Sequence, residues 1–502
     1  MRTLRSSLTL GFGIVLIAIL SGCGSGLPTF TSDSSIAKTK NPLVATYTVH
    51  TPGPANVWVE FGTGTSYGKR TSTVPVPDGP TQAVPLLIAG MKANTTYHMR
   101  AHVDIPAGNS WMDTDRTFQT GALPTDKTLT LTVTRPANAN VQQDGVELLA
   151  VLPGGPQNLQ AAVADLDGNI IWYYDVGDVL PEPIKLMPNG NMLMNAGVVD
   201  LREVDLAGNT VRDMPVESLN QKLTAAGFPT MFSMHHDFCL LPNGHIILLA
   251  NSHKTFTDLP GYPGDTAVLG DFLIDLDPDW NPVWMWSTFD HLDVNRHLMG
   301  LPDWTHSNAV LYSPDDGNLL LSMRHQSWVI KIDYANGHGT GDILWRLGNE
   351  GDFSLSGGDP SQWFYAEHYP NLESQDGSQM TLTVFDNGNA RADDVGDTCA
   401  GNYPNCYSRA VLLQVDESAK TAAVKWQYHP GFFSSWGGSI GIMDNGDVEF
   451  DMTAPFGSVP SSRVLEVTQT DTPTIVWQLD IVGGNAYRAY RIPSLYPGVA
   501  WQ

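Results

Sequence analysis

The sequence predicts an all-β chain in which a six-bladed β-propeller follows a small N-terminal β-sandwich. Three observations carry that prediction. Glycine (48) and proline (34) are frequent, and Thr, Val, Trp and Tyr recur in short runs bounded by turns, the composition of strands and tight connections. From Leu149 onward two kinds of hairpin alternate; this gives four antiparallel strands per unit, and such units repeated radially make a propeller. One hairpin near the start of the repeat stands alone, so its blade needs a strand from far away in the chain. The C-terminal AYRAYRIPSLY is the candidate, and a closure of this kind removes the open edge of the ring.

The first kind of hairpin has a polar turn and a Trp-bearing second strand: VADLDGNIIWYY, LIDLDPDWNPVWMW, IKIDYANGHGTGDILW, LQVDESAKTAAVKW and LEVTQTDTPTIVW. These put Trp172, Trp286, Trp345, Trp426 and Trp477 at equivalent places, and a sixth copy, REVDLAGNTVRD, has Arg212 there. Repeated indoles of this sort pack one blade on the next. The second kind reads IKLMPNGNMLMNA, HDFCLLPNGHIILLA, NAVLYSPDDGNLLLS, PNLESQDGSQMTLTV and SIGIMDNGDVEFDM. It precedes the Trp hairpin and so supplies the strand that lines the central channel.

The N-terminus reads as a targeting segment. Arg2 and Arg5 precede the apolar GFGIVLIAIL and then Leu20-Ser21-Gly22-Cys23, the pattern of an export signal over residues 1–22. L-S-G-C also resembles the bacterial lipobox, which implies a lipid on Cys23 and an exported envelope lipoprotein on the periplasmic or other extracytoplasmic side of the membrane. Residues 23–41 are Ser/Thr/Gly-rich and suit a flexible tether. Residues 42–124 carry short alternating strands, among them VATYTVH and ANVWVEFG, and fit one sandwich. Within it GMKANTTYHMRAHV resembles the F-strand approach of fibronectin type III domains, with Tyr97 placed for a tyrosine corner. The propeller takes residues 125–502. Cys399 and Cys406 flank a short loop in a chain bound for an oxidising compartment and are read as a disulfide. Cys239 is read as a small buried hydrophobe. The formal charge is −25, from 52 acidic and 27 basic side chains, and with no basic stripe the chain is not a nucleic-acid binder.

Three inner-strand segments begin with histidine: HHDFCLLPNG from His235, HSNAVLYSPDDG from His306 and HYPNLESQDG from His368. His235 and His368 stand nine residues before the turn glycine and His306 eleven; an even difference keeps a side chain on the same face of a strand. The three should therefore meet at one mouth of the channel, opposite Pro181 and Gly437 at the matching positions of two other blades. Asn308 and Asp237 lie two residues after His306 and His235, and Arg324 ends the strand paired with the His306 strand. The other histidines, namely His245, His253, His291, His297, His325, His338 and His429, are read as surface or structural. Two chemistries fit: three neutral imidazoles holding a divalent metal for hydrolysis, or a histidine nucleophile with Arg324 and Asn308 binding an oxyanion. Arg324 favours the second, because a guanidinium repels a dication and matches a sulfuryl or phosphoryl group. A non-enzymatic scaffold is the third reading, since propellers are widely reused.

The set MHHDF, DWTHSNAV, SMRHQSWVIKID, EHYP followed by TVFDNGN, and YSRAVLLQVDE resembles the bacterial arylsulfate sulfotransferases. The resemblance implies an exported enzyme with a small N-terminal β domain before a six-bladed propeller. It further implies transfer of a sulfuryl group from an aryl sulfate to a phenol acceptor, with no nucleotide donor, no cofactor and no metal. His368 then corresponds to the nucleophile that becomes sulfated, and His306, Asn308 and Arg324 to residues that hold the sulfuryl oxygens and assist proton transfer. The HHD element contributes His235, which the repeat register favours as the pocket-facing member, with His236 and Asp237 as substrate contacts; Tyr487 and Arg488 of AYRAYR line the pocket. The implied mechanism is ping-pong through a sulfohistidine. Two departures stand out: the cysteine pair falls after FDNGN where the family pattern has it before the nucleophile, and Tyr369 replaces a small or polar residue.

Overall fold

A computed structural model describes residues 32–106, 108, 110–125, 129–137, 139–153, 161–175, 181–389, 391, 406–455 and 459–501. The targeting segment and Cys23 lie outside the described residues, as does Cys399 of the expected disulfide. The N-terminal unit is one curled antiparallel sheet of seven strands. Its spine is Ala45–Gly62, in which alternate residues are buried for much of its length. The runs VATYTVH and ANVWVEFG are the two halves of this single strand, and the pairing with Val74–Ile88 shifts register on either side of Gly53. The curl wraps around Val49, Val57, Phe61, Met99 and Val103. The Lys92 N–H donates to the Tyr97 hydroxyl at 2.9 Å, the expected corner. Asp33–Lys38, expected in the tether, is instead the edge strand, paired from Asp33 with His50 to Lys38 with Ala45. Polar composition hid it, because an edge strand is held by main-chain hydrogen bonds that any side chain permits.

The propeller has six sheets, numbered here as blades in chain order. Their innermost strands are Gly484–Ile492, Pro181–Leu186, Ser233–Leu240, Ser307–Ser313, His368–Asp376 and Ile440–Ile442. Blade 1 is closed as the sequence predicts: Gly484–Ile492 pairs with Val146–Pro153, from Gly484 with Pro153 to Ile492 with Val146. Blade 6 gains an outer strand, Thr130–Thr134, from the connection between the two domains.

The Trp repeat stitches the rim. Trp172 of blade 1 donates its indole N–H to the Leu206 carbonyl in the turn of blade 2 at 2.8 Å. Trp286 does the same to Gly341 (2.8 Å), Trp345 to the Glu417 carboxylate (2.6 Å) and Trp477 to Leu166 (3.0 Å), each in the next blade's turn. Arg212 of blade 2 keeps the pattern without an indole: it donates to the Pro278 carbonyl at 2.7 Å and lies over Trp280.

The ring is clasped by Arg491 on the closing strand. Its guanidinium is ion-paired with Glu147 of blade 1 and, at 3.5 and 3.2 Å, with Glu449 and Glu466 of blade 6. The chain then turns back onto the N-terminal sheet, where the Tyr496 hydroxyl donates to the Leu87 carbonyl and the Trp501 indole to that of Arg70. Arg491→Met leaves three buried carboxylates around an apolar side chain. Loss of one partner of such a cluster costs about 3–5 kcal/mol, so the urea midpoint should fall accordingly, while Val283→Ala at an exposed position (50% accessible) leaves it within error.

Candidate functional site

The inner strands of the three histidine blades all start irregularly. Register shifts fall between Met234 and Phe238, between Ser307 and Ala309, and between His368 and Asn371. His236, His306 and Tyr369 beside these shifts have left-handed φ values of 56°, 46° and 42°. Bulges and left-handed non-glycine residues re-aim side chains, and they gather where function requires it. Their consequence is that the rings of His236, His306, His368 and Tyr487 come together at one mouth of the channel.

His368 is buried, and its environment selects one tautomer. Asn387 donates its amide N–H groups to the Ser434 and Gly437 carbonyls at 2.8 and 3.1 Å, so its Oδ1 is left to accept from His368 Nδ1 at 2.7 Å. The proton is on Nδ1 and the lone pair on Nε2, which the Gly437 N–H meets at 3.2 Å. Burial first, and Arg324 second, push the His368 pKa well below 6.5, so the imidazole is neutral. Gly437 and Gly438 have φ of 66° and 117°, and a Cβ on Gly438 would lie 2.4 Å from the Phe385 ring. Glycine is required there for the loop to bring its N–H to the imidazole.

Arg324 follows the strand Asn318–Met323 and returns to this mouth, as expected. Its Nη2 donates to the Ser435 carbonyl at 3.1 Å and its Nη1 to His325 Nε2 at 2.6 Å, while its Nε is buried without a partner. His325, read as surface or structural, instead sits in the site: the 3-10 turn Arg324–Gln326 folds it back, and its ring stacks on His306 at 4.5 Å. Burial, then His306, lowers its pKa to about 4. His306 Nδ1 is 2.5 Å from Asp303 Oδ2. Asn308 is fully buried; its Nδ2 donates to the Glu367 carbonyl at 2.6 Å, bracing the residue before His368, and its Oδ1 has no partner. Burial raises the Glu367 pKa to about 8.

The HHD element departs from the sequence reading. The ring of His236 lies 4.7 Å from that of His306 and 5.7 Å from that of Tyr487, whereas His235 stands behind it against Asp271. The bulge breaks the even spacing on which the preference for His235 rested. Asp237, expected to touch substrate, is a brace: it accepts from Lys185 at 2.6 Å and from the Val310 N–H at 3.0 Å, and pairs with Arg488 at 3.1 Å. Arg488 likewise lies beneath the pocket, fully buried, with Tyr369 and Tyr487 over its guanidinium. Tyr487 does line the site, its ring 6.0 Å from that of His368 and its hydroxyl unpartnered.

The trio offered to a metal by the sequence is not the group whose ligand atoms converge. Among the described residues that group is Asp303, His306 and His325, within 4.8 Å of one another. Arg324 Nη1 already occupies His325 Nε2, which sets a positive charge where a cation would bind.

Sequence reasoning missed Asn387, Ser435 and the Gly437 amide. Asn387 lies in the quoted TVFDNGN, and its offset of 19 from His368, across one hairpin, was the available signal.

The fold and the site define a six-bladed propeller with a neutral, buried imidazole and a half-buried guanidinium at one mouth of its channel. The chain belongs to the arylsulfotransferase (ASST) family, whose model matches residues 137–491. It is accordingly an arylsulfate sulfotransferase, acting on aryl sulfates. No curated protein matches the chain. Similar solved structures include a protein of unknown function from Bacteroides caccae, with 10% identity, 58% of this chain and 97% of that one covered and a TM-score of 0.26. BamB from Moraxella catarrhalis matches with 8% identity, 90% and 96% coverage and a TM-score of 0.27. Superpositions this loose add nothing to the architecture described above.

Asn387→Leu removes the group that holds the His368 proton on Nδ1. A wrong tautomer at a catalytic imidazole costs about 10⁴-fold in the best-studied hydrolase triad. The variant should therefore lose at least about 100-fold in kcat for 4-nitrophenyl sulfate turnover, while a lowered but still cooperative melting transition, well above the assay temperature, shows that the loss is not one of folding.

Proposed function

We propose that the protein moves a sulfuryl group from an aryl sulfate to a phenol by a ping-pong route through a sulfohistidine at His368. The observation that carries this reading is the Nε2 lone pair of a neutral, tautomer-locked imidazole in the field of the half-buried Arg324 guanidinium. Nε2 attacks sulfur and the S–O bond to the aryl group breaks, its electron pair leaving with the phenolate. The Gly437 N–H gives up Nε2 to the sulfur and lies beside the sulfuryl oxygens. Arg324, with its free Nε, offsets their charge together with His306. A phenol then attacks the same sulfur, and the N–S bond breaks to restore His368. Phenols suit both steps because they leave as stabilised anions.

With donor but no acceptor, wild-type protein should accumulate a sulfate adduct on the peptide containing His368, discharged by added phenol, with chelator present throughout. His368→Ala should abolish the adduct and lower transfer by at least about 1,000-fold. An adduct elsewhere, or activity lost to chelator, would overturn the assignment.

The same reading includes export, a lipid anchor on Cys23 and a Cys399–Cys406 disulfide bracing the loop after FDNGN. Its support is the residue pattern of the N-terminus and the oxidising compartment that pattern implies. Cys23→Ser should move the protein from the membrane fraction to the soluble envelope fraction; retention in the membrane would refute the anchor.

A further inference from the structure

Behind the pocket lies a line of groups that the reading above leaves unused. Asp271 Oδ1 is 3.3 Å from His235 Nε2, and His235 Nδ1 is 2.8 Å from His236 Nδ1. Asp271 and His235 are 2% and 4% exposed, and the second carboxylate oxygen accepts from the Thr305 hydroxyl and the Ser307 N–H, both at 2.6 Å. His236 is half-buried, its ring edge-on to those of His235, His306 and Tyr487.

The contact between two Nδ1 atoms has a definite consequence. A hydrogen bond joins them only if one carries a proton and the other does not. His235 Nε2 lies at ion-pair distance from Asp271 without a hydrogen bond to it; with the His235 proton on that nitrogen, where the carboxylate charge favours it, the uncharged pair has its shared proton on His236 Nδ1, and His236 Nε2 is then a bare acceptor. With one more proton, His235 holds both of its own, His236 Nδ1 accepts, and His236 Nε2 becomes a donor. The heavy atoms need not move. The gain or loss of one proton therefore switches the outer nitrogen of His236 between base and acid.

We propose that Asp271, His235 and His236 form a buried proton store serving both half-reactions, with His236 as the catalytic residue and His235 and Asp271 as positioning residues behind it. The proposal rests on the ping-pong reading. In the first half-reaction the phenolate oxygen takes the proton on His236 Nε2, and the proton on His235 Nδ1 crosses to His236 Nδ1. In the second, the acceptor phenol gives its proton to His236 Nε2 as its oxygen bonds to sulfur, and the Nδ1 proton returns to His235. Each cycle ends with the store refilled. Burial opposes charge on His235, but Asp271 outweighs it and raises the His235 pKa, whereas burial and His306 hold His236 well below 6.5. The titratable and charged groups facing the pair from the other blades are Glu182, His306, His368 and Arg488. Glu182 favours charge on His235; the others disfavour it on His236. His306 has its own carboxylate, Asp303, but their side chains are 25% and 39% exposed, so that pair exchanges protons with water while the Asp271 pair is sealed from it.

The test is a leaving-group series on full-length Asp271→Asn, which keeps the shape and one acceptor oxygen but removes the charge. A leaving group stable as an anion needs little protonation, whereas a basic one depends on it. The expected result is a loss in kcat/KM of a few-fold for 4-nitrophenyl sulfate, growing to about 100-fold for phenyl sulfate. His235→Gln, which keeps an N–H toward Asp271 but removes Nδ1, should reproduce the pattern, and Asp271→Glu should restore part of it. Equal losses across the series, or none in either variant, would overturn the proton store. If wild-type protein forms no adduct on His368 while the losses still grow with leaving-group basicity, the nucleophile assignment fails and the store stands.

Discussion

A single guanidinium, that of Arg491, sits among carboxylates from the first and last blades, on the strand whose pairing with Val146–Pro153 closes the ring. The strand that carries it also carries Tyr487 and Arg488, four and three residues earlier. Tyr487 reaches the rings of His236 and His368, and Arg488 reaches Asp237 of blade 3 and the Asn308 carbonyl of blade 4. Closure and pocket floor are therefore one strand. Buried ion pairs seldom add much net stability, because desolvation cancels most of the attraction. Their value here is in register: the carboxylates fix which residues of the closing strand face the axis.

The electrostatics of the pocket run against those of the molecule. The chain is strongly acidic, so its long-range field does not draw an anionic aryl sulfate toward it. The positive charge in the pocket is local instead, on the half-buried Arg324 beside the uncharged rings of His325 and His368. Burial that keeps His368 and His236 uncharged also strengthens any contact between the guanidinium and a sulfuryl group.

Blade number, closure by the C-terminus and the rim position of the Trp residues were all legible, because each depends on strand periodicity and on turns that recur at fixed spacing. So was the convergence of His306, Arg324 and His368. What failed did so where the backbone leaves that period. The bulge at Met234–Phe238 exchanged His235 for His236 and turned Asp237 into the wall, and the turn after Met323 brought His325 inward. A two-residue alternation has no means of signalling one extra residue. Asn387 and the Gly437 amide were hidden for another reason: they act through a side-chain amide and a main-chain N–H, and neither has a residue signature of its own. Arg212 shows the reverse case, a departure from the repeat that proves to be the same contact made by a different side chain.

The rim stitch is not uniform. Among the described residues, Trp426 of blade 5 is the repeat indole whose N–H is buried without a partner, so the seam between blades 5 and 6 lacks the outer tie its neighbours have. Across that seam lie His368 and Asn387 on one side and Ser434, Ser435 and Gly437 on the other. That joint, where the His368 imidazole and the Gly437 amide belong to different blades, is therefore fastened on the inside, by the hydrogen bonds around Asn387, and not at the circumference.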